Sequence, residues 1–265
     1  MDLPFDPTLT LGPLRIAWHS LWSLVGMAAG SWLSFRLARR LVKDERIYPF
    51  AIAVVIGGLI GARTGHIADN WPYYSANPDQ LLAFWNGGVA VAAAPIGSAI
   101  AGWIAAKRLR LPVGFMFDVT VIGIVLGEAI GRIGDIINGE HHAIACSGLA
   151  WCVRYTNPAT LGQTTFVHPV VAYDLLVDLL IFVILLRYWA RARGHAPEGR
   201  VFWLYLVLYG AFRFATSFLR LDPIVFGGLQ EAQLLGLIYV LAGIPALLWA
   251  HRAPGPARSS STTSA

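Results

Sequence analysis

The stretch that decides the fold is residues 113–142, which read V-G-F-M-F-D-V-T-V-I-G-I-V-L-G-E-A-I-G-R-I-G-D-I-I-N-G-E-H-H. Its first part, to about residue 131, is mainly apolar and long enough to cross the hydrocarbon core of a bilayer as a helix. Its last part is polar, with an arginine, two acids, an asparagine and two histidines. The dipeptide Asn138-Gly139 is typical of turns, so we predict that the helix ends near Ile137 and that the chain folds back there.

Apolar runs of similar length recur along the whole chain. Of its 265 residues, 56% are hydrophobic and 13% are charged, whereas a soluble domain carries about 25% charged residues. A soluble fold with a large apolar core is the alternative, but too little polar surface remains to cover so many apolar segments. We therefore predict an all-α polytopic membrane protein with seven transmembrane helices. The predicted spans are residues 16–38, 49–68, 88–107, 113–131, 170–190, 201–220 and 232–250.

The positions of the basic residues predict the orientation of these spans. Fourteen of the 20 Lys and Arg residues follow the first, third, fifth and seventh spans, and the positive-inside rule makes that side cytoplasmic. The N-terminus is then outside and the C-terminus is cytoplasmic. The net charge of +5 follows from this topology and indicates no nucleic-acid partner. We interpret residues 1–252 as a single seven-helix membrane domain, and the Pro-, Ser- and Thr-rich residues 253–265 as a disordered cytoplasmic tail.

Three arginines break this pattern, because they lie within or at the outer ends of even-numbered spans. They are Arg63, Arg132 and Arg213. Ionisable groups at such depth are costly and mark functional sites, although a single arginine can also snorkel to the interface. Guanidinium groups bind phosphate oxygens in a bidentate manner, and a phospholipid headgroup lies at this depth, so the arginines predict a headgroup-phosphate pocket. The acids Asp135, Glu140 and Asp174 either take part in it or only compensate the arginine charge.

Glycines recur on the second and fourth predicted helices at three- and four-residue spacing. They are Gly57 and Gly61, and Gly127, Gly131 and Gly134. Small residues at this spacing allow two helices to approach closely. We interpret them as packing positions rather than as site residues.

The polar end of the fourth span resembles a known signature. Residues 131–140, G-R-I-G-D-I-I-N-G-E, are similar to G-R-x-G-N-F-x-N-G-E of the prolipoprotein diacylglyceryl transferase family. Further matches follow the family's order from about residue 14 to residue 250. They are Gly61-Ala62-Arg63 (G-A-R), Trp85-Asn86-Gly87-Gly88 (W-E-G-G), His168-Pro169 with Tyr173-Asp174 (H-P-x-x-x-Y-E), Tyr209-Gly210-Ala211-Phe212-Arg213 (Y-G-x-x-R) and Gln233. The family also has seven spans with the N-terminus outside.

The resemblance implies a transferase of the bacterial cytoplasmic (inner) membrane. The family moves the diacylglyceryl group of phosphatidylglycerol onto the cysteine thiol of a lipobox in a secreted precursor protein, forms a thioether and releases glycerol phosphate. It implies no metal and no soluble cofactor. The residues implied in phosphate binding are Arg132, Arg213 and Arg63, those implied in shaping the substrate site are Asn138, Gly139, Tyr173 and Gly88, and Glu140 is implied in orienting an arginine or in proton transfer.

The chain departs from the family at five positions. Ala92 stands for the histidine of an H-G-G motif, His19 for a first-helix tyrosine, Asp135 for an asparagine of the signature, Ala143 for a glycine and Ser217 for a glutamate. If the family histidine is the base that deprotonates the thiol, this chain lacks that base.

These departures leave two interpretations open. In the first, the base has moved to His19, to Asp135 or to another histidine near the outer end, namely His66, His141 or His142. In the second, the chain is a catalytically impaired or repurposed paralogue that binds phospholipid or lipidates another acceptor. A transporter would require broken helices or inverted repeats, and the sequence indicates neither.

Cys146 and Cys152 lie in the predicted outer loop after the fourth span. In an oxidising compartment they could form a disulfide. Together with His141 and His142 they could also bind a metal, although their spacing matches no standard zinc pattern. The sequence leaves the state of the two cysteines open.

Overall fold

The computed structural model describes residues 1–83, 88, 90, 93–192 and 198–252, and this part of the chain is mostly helical. Its α-helices are α1 (Trp18–Ala38), α2 (Ile47–Asp69), α3 (Trp71–Ala76), α4 (Ala94–Arg108), α5 (Val113–Asn138), α6 (Val170–Ala192), α7 (Arg200–Ser217) and α8 (Glu231–Arg252). The predicted tail, residues 85–87 of the Trp-Asn-Gly-Gly motif, and Ala92 lie outside the described residues.

Each of the seven predicted spans overlaps one helix, and α3 is an additional short helix. Among the described residues, α2, α5 and α8 are long and apolar enough to cross a membrane by length and composition. Helix α4 has 15 residues, which at roughly 1.5 Å per residue is shorter than the hydrocarbon core of about 30 Å. Helix α6 carries Asp174 and Asp178 on its first turns, which lowers its hydropathy.

Helix α5 continues past its apolar part and ends at Asn138. Gly139 has φ +77°, and the amides of Gly139 and Glu140 both donate to the carbonyl oxygen of Asp135, at 2.9 and 3.0 Å. A glycine in the left-handed region is a common helix terminator, because it satisfies the last carbonyls without a steric cost. The predicted turn at Asn138-Gly139 is confirmed, and the polar residues before it belong to the rigid helix.

The described chain forms two compact units. The first unit comprises residues 1–37 and the described part of 118–265, and the second unit comprises residues 38–117. The first unit contains the end of α5 together with α6, α7 and α8. The second unit contains α2 and α4, which pack closely because Gly61 faces Gly97: a Cβ atom at Gly61 would lie 2.9 Å from the Cα atom of Gly97.

In the first unit, α1 packs directly on α5 through glycines. A Cβ atom at Gly127 would lie 2.7 Å from the carbonyl oxygen of Gly26, and one at Gly134 would lie 2.7 Å from the Cα atom of His19. Gly131 faces open space. The predicted small-residue face of α5 is therefore used at Gly127 and Gly134 but not at Gly131.

Helix α7 begins against α5 because of one buried carboxylate. Asp118 accepts hydrogen bonds from the amides of Gly199 and Phe202, both at 2.8 Å, and so satisfies donors that a helix start leaves without partners. Further along, α7 packs on α8, where a Cβ atom at Gly210 would lie 2.6 Å from the carbonyl oxygen of Gly236. The two contacts hold α7 between α5 and α8.

The all-α prediction is incomplete, because the described residues also form short strands. Strand β1 (Asp2–Leu3) pairs in parallel with β4 (Arg154–Tyr155), β2 (Thr8–Leu11) forms an antiparallel hairpin with β3 (Leu14–Ala17), and β5 (Ile224–Phe226) pairs with β6 (Leu229–Gln230). Strands of two to four residues are too short to show the alternation by which a strand is predicted. Of the three pairs, β1 and β4 join segments that are remote in the sequence.

The connection between α5 and α6 encloses a small apolar core of its own. The core residues are Ala143, Val153, Val167, Val170 and Val171. Cys146 and Cys152 form a disulfide within this connection. This settles the state that the sequence left open, and with both sulfur atoms in the bridge neither cysteine is available as a thiolate ligand.

Candidate active site

The last turns of α5 present an arginine between two carboxylates. Glu128, Arg132 and Asp135 are four and three residues apart and therefore share one face of the helix. The guanidinium of Arg132 donates to Glu128 at 2.7 Å and to Asp135 at 3.1 Å, and its Nε lies 3.8 Å from Asp178 on α6. The Arg132 side chain is 12% exposed, so α5 and α6 together hold a largely buried cation.

Two further arginines come from α7 and the residues just after it. Arg213 lies on α7, whereas Arg220 follows the end of this helix and forms a β-bridge with Ala143. Both bind Asp174 of α6, Arg213 at 3.1 Å and Arg220 to the same carboxylate oxygen. The Arg220 side chain is fully buried. We call Arg132, Arg213 and Arg220 the arginine cluster.

The arginine cluster has donors that the described residues leave unsatisfied. The Nε of Arg132 and both Nε and Nη1 of Arg220 are buried without a hydrogen-bond partner in this part of the chain. A buried donor left without a partner costs about 1–3 kcal/mol. Guanidinium groups that keep such donors are suited to receive an anion with several oxygen atoms.

Carboxylates and a tyrosine surround the arginine cluster. The hydroxyl of Tyr209 donates to Glu128 at 2.9 Å. Arg132, Arg213, Asp174, Asp178 and Tyr209 line a polar cavity of about 10 Å³, which is the space that roughly one water molecule needs. In this arrangement the arginines are therefore paired with acids. An anion larger than this cavity can bind the arginines only by displacing these acids.

The segment after α5 closes one side of the site. The Asn138 side-chain amide donates to Glu140 at 2.6 Å, and the backbone carbonyl of Asn138 accepts from the amide of Leu161 at 2.9 Å. The Glu140 carboxylate thus lies against Asn138. The implied role of Glu140 in orienting an arginine stays a prediction, as do the implied roles of Asn138 and Gly139.

A second, larger cavity of about 470 Å³ begins beside the same segment. Gly139, Glu140 and Tyr173 lie in its wall, and most of its other lining is apolar, including Ile136, Val167, Val171 and Leu176. Tyr173 lines this cavity, and the next residue of α6, Asp174, binds the arginine cluster. The Tyr173 hydroxyl accepts from the indole of Trp151 at 2.8 Å, which fixes the ring at the cavity wall.

His19, at the start of α1, is in direct contact with Asp135. The His19 Nδ1 and an Asp135 oxygen are 2.7 Å apart, and the other Asp135 oxygen accepts from Arg132. Two positions at which the chain departs from the family resemblance therefore form one pair. Their contact could not be predicted, because 116 residues separate them.

The other candidate histidines have different surroundings. His141 lies in the wall of the larger cavity with φ +63°; although its side chain keeps contact with solvent, the protein around it and the charge of Arg220 lower its pKa to about 4. His142 binds the carbonyl oxygen of Leu161 at 2.9 Å. His66 belongs to the second unit and packs edge-on against Tyr74.

Arg63 and Gly88, also predicted as substrate-binding residues, belong to the second unit. The Arg63 guanidinium donates to the backbone carbonyls of Leu81 at 3.0 Å, of Gly88 at 2.8 Å and of Gln80. It also lies over the Tyr74 ring, 5.2 Å from the ring centre. Arg63 thus holds the segment after α3 by its backbone, and its predicted role in phosphate binding stays a prediction.

Sequence reasoning missed four residues of the site. They are Glu128, Asp178, Tyr209 and Arg220. A signal existed for Glu128, since it lies one turn before Arg132 on α5. Ser217, the position of a family glutamate, donates instead to the backbone carbonyl of Arg213 at 2.7 Å.

Comparisons with known proteins identify the family of this chain. The family model described as prolipoprotein diacylglyceryl transferase matches residues 7–249. Among curated relatives, a phosphatidylglycerol–prolipoprotein diacylglyceryl transferase of Symbiobacterium thermophilum is 36% identical over 264 residues, which are 96% of either chain. A protein of the same name from Dehalococcoides mccartyi is 32% identical over 259 residues, 95% of this chain and 96% of that protein. The chain belongs to the prolipoprotein diacylglyceryl transferase family.

Proposed function

We propose that this member of the family transfers the diacylglyceryl group of phosphatidylglycerol to the cysteine thiol of a lipobox in a secreted precursor protein. The observation that carries the proposal is the arginine cluster with its unpaired buried donors. The names of the relatives, which state phosphatidylglycerol and prolipoprotein, support the two substrates. The products are a thioether-linked diacylglyceryl protein and glycerol phosphate.

The leaving group explains why several arginines are needed. When the thiolate sulfur attacks the glyceryl carbon, the bond from that carbon to the phosphate oxygen breaks and negative charge develops on the phosphate. Fixed cationic donors stabilise such a charge most strongly in a site from which water is excluded. In our proposal Arg132 and Arg213 bind the phosphate, and Arg220 joins them through its unpaired Nε and Nη1.

The larger cavity suits the apolar part of the lipid. Its lining is mostly apolar, and Leu176 in its wall is 62% exposed on α6, so the cavity reaches a surface that a bilayer would cover. In our proposal the diacylglyceryl group enters there, and Tyr173, Gly139 and Glu140 lie around the glycerol part. Asn138 holds Glu140 in place.

We further propose that all seven long helices cross the bacterial cytoplasmic membrane, with the N-terminus outside and the C-terminus cytoplasmic. The basic residues after alternate spans support this orientation. The disulfide between Cys146 and Cys152 supports it independently, because disulfides persist in oxidising compartments and the cytoplasm is reducing. Both observations support an orientation in which the segment after α5 lies outside, where secreted precursors arrive.

The rival function is phospholipid binding without transfer. It is favoured by Ser217, whose hydroxyl binds backbone where the family resemblance implies a carboxylate. Purified protein in phosphatidylglycerol vesicles, incubated with a lipobox peptide, distinguishes the two by mass spectrometry. We expect a diacylglyceryl mass increment on the cysteine peptide and none on its serine counterpart. Binding of phosphatidylglycerol without any mass increment, under conditions in which an authentic relative produces one, would establish the rival function.

A further inference from the structure

We propose that His19, oriented by Asp135, is the base that takes the proton from the acceptor thiol. This inference rests on the proposed function and names a catalytic residue for it. His19 is the catalytic residue in this proposal because it touches the reacting thiol, and Asp135 is a positioning residue that acts through it.

The contact between the two side chains fixes the tautomer of the imidazole. An ionised carboxylate only accepts hydrogen bonds, so the His19 Nδ1 that lies 2.7 Å from Asp135 carries the hydrogen. The lone pair of the neutral ring is then on Nε2. Among the described residues Nε2 has no hydrogen-bond partner, which leaves it available to a substrate proton.

The backbone holds this pair together. His19 is the second residue of α1, and Gly134 of α5 lies against it so closely that a Cβ atom at Gly134 would be 2.7 Å from the His19 Cα atom. Asp135 is the next residue of α5. The carboxylate therefore reaches the imidazole from a fixed helix, as in sites where an acidic side chain orients a catalytic histidine.

The exposure of the two partners suits their roles. The Asp135 side chain is 10% exposed, whereas that of His19 is 44% exposed. A buried carboxylate keeps its orientation, and an accessible imidazole can meet a thiol that belongs to another protein. Of the described histidines, His19 is the one with a carboxylate partner within ion-pair distance.

Asp135 also connects the base with the arginine cluster. One of its oxygens binds His19 and the other accepts from Arg132 at 3.1 Å. A single carboxylate thus positions the base for the nucleophile and the arginine proposed for the leaving phosphate. This arrangement requires that the thiol approaches from the His19 side of the Asp135 carboxylate and the phosphate from the Arg132 side.

The proposed step balances as follows. The thiol proton moves to Nε2 of His19, and the sulfur forms a bond with the glyceryl carbon as the bond from that carbon to the phosphate oxygen breaks. The imidazolium that results is stabilised by Asp135. It then returns its proton to the released glycerol phosphate or to water, and the site is restored.

A comparison of two acceptors tests the assignment. A selenocysteine peptide is ionised near neutral pH and needs no base, whereas a cysteine peptide is mostly protonated. We expect His19→Gln to lower kcat for the cysteine peptide about 10²-fold or more, and to leave kcat for the selenocysteine peptide close to that of the wild type. Asp135→Asn should lower both rates, because Asp135 also holds Arg132, and should lower the rate for the cysteine peptide more. His251→Gln, at an exposed histidine at the end of α8, should change neither rate.

The outcomes distinguish a failure of the base assignment from a failure of the proposed function. If His19→Gln lowers both rates equally, His19 has a structural role and the base assignment is wrong, while the proposed function stands. If the wild-type protein lipidates neither peptide, the proposed function itself fails and the base assignment fails with it.

Discussion

The two units of the chain each bury an arginine network, and they do so with different partners. In the second unit, Arg63 is 3% exposed and donates to backbone carbonyls. In the first unit, Arg132 and Arg220 are buried against carboxylates and keep unpaired donors. All three lie at or near an end of an apolar helix, so the sequence alone does not distinguish them.

We expect this difference in partners to separate a binding arginine from a structural one. Each backbone carbonyl oxygen accepts a hydrogen bond from the guanidinium, and together these hydrogen bonds hold a loop in place. Carboxylates compensate the charge and can be exchanged for another anion, such as a phosphate. Burial of an arginine therefore predicts neither role, and the chemistry of its partners decides between them.

The largest effect should come from Arg132. We expect Arg132→Ala to lower the rate of diacylglyceryl transfer about 10³-fold, because a donor to the developing phosphate charge is lost. The matched control is Arg154→Ala, since Arg154 pairs with Asp2 at the surface and its loss should change the rate less than about twofold. Equal losses in the two variants, measured by peptide mass spectrometry, would remove the distinction between the two kinds of arginine.

Arg220 should have the next largest effect. It was not identified from the sequence, and its unpaired Nε and Nη1 are the strongest sign of a binding role. We expect Arg220→Lys, which keeps the charge but loses the planar fork, to lower the rate about 10²-fold. A rate close to that of the wild type would show that these donors bind no phosphate and that Arg220 serves only its ion pair with Asp174.

Replacing Arg63 should lower the stability of the protein more than its transfer rate. Arg63→Met leaves several carbonyl oxygens without donors, and each such buried group costs about 1–3 kcal/mol. We therefore expect a clear fall in the apparent Tm in detergent, and a transfer rate per folded molecule within roughly threefold of the wild type, since no phosphate donor is removed. A loss of rate at unchanged Tm would instead support the predicted role of Arg63 in substrate binding.

The smallest effect concerns the pH dependence of stability near the arginine cluster. The pKa of His141 is lowered from 6.5 to about 4 in the folded protein, by the surrounding protein and by Arg220. The unfolded chain therefore binds a proton more readily than the folded one between these values, and stability falls as the pH drops from about 6.5 towards 4.

His141→Gln removes this contribution. Between pH 7 and pH 5 the Tm of the variant should fall less than that of the wild type. Above pH 7 the two Tm values should depend on pH in the same way, because His141 is neutral in both the folded and the unfolded chain. An identical pH response of the two Tm values would show that Arg220 does not act on His141 as described.

Much of the fold was predictable because apolar length and turn chemistry are local properties. Each predicted span overlaps one helix, and the end of α5 follows from the turn dipeptide Asn138-Gly139. The short strands and the apolar core under the segment after α5 could not be predicted in this way. The strands carry too few residues to show a period, and β1 and β4, like the residues of this core, are far apart in the sequence.

The site was predictable in part for the same reason. The signature on α5 identified Arg132, Asp135 and Asn138 by their order, and order is a property of the sequence. It also identified the family, which the comparisons confirm. Arg220 and Asp178 were missed because nothing in their own neighbourhood distinguishes them from ordinary charges at helix ends.

The sequence by itself determined that this protein is a helical member of its family with several deeply placed charges. Only the tertiary structure decided which partner each charge has. Arg63 is held by backbone carbonyls, Arg213 and Arg220 share Asp174, and His19 meets Asp135. The physical reason is that helix formation depends on neighbours within a few residues, whereas an ion pair depends on distance in space, and distances of a few ångströms between remote residues exist only after the helices have packed.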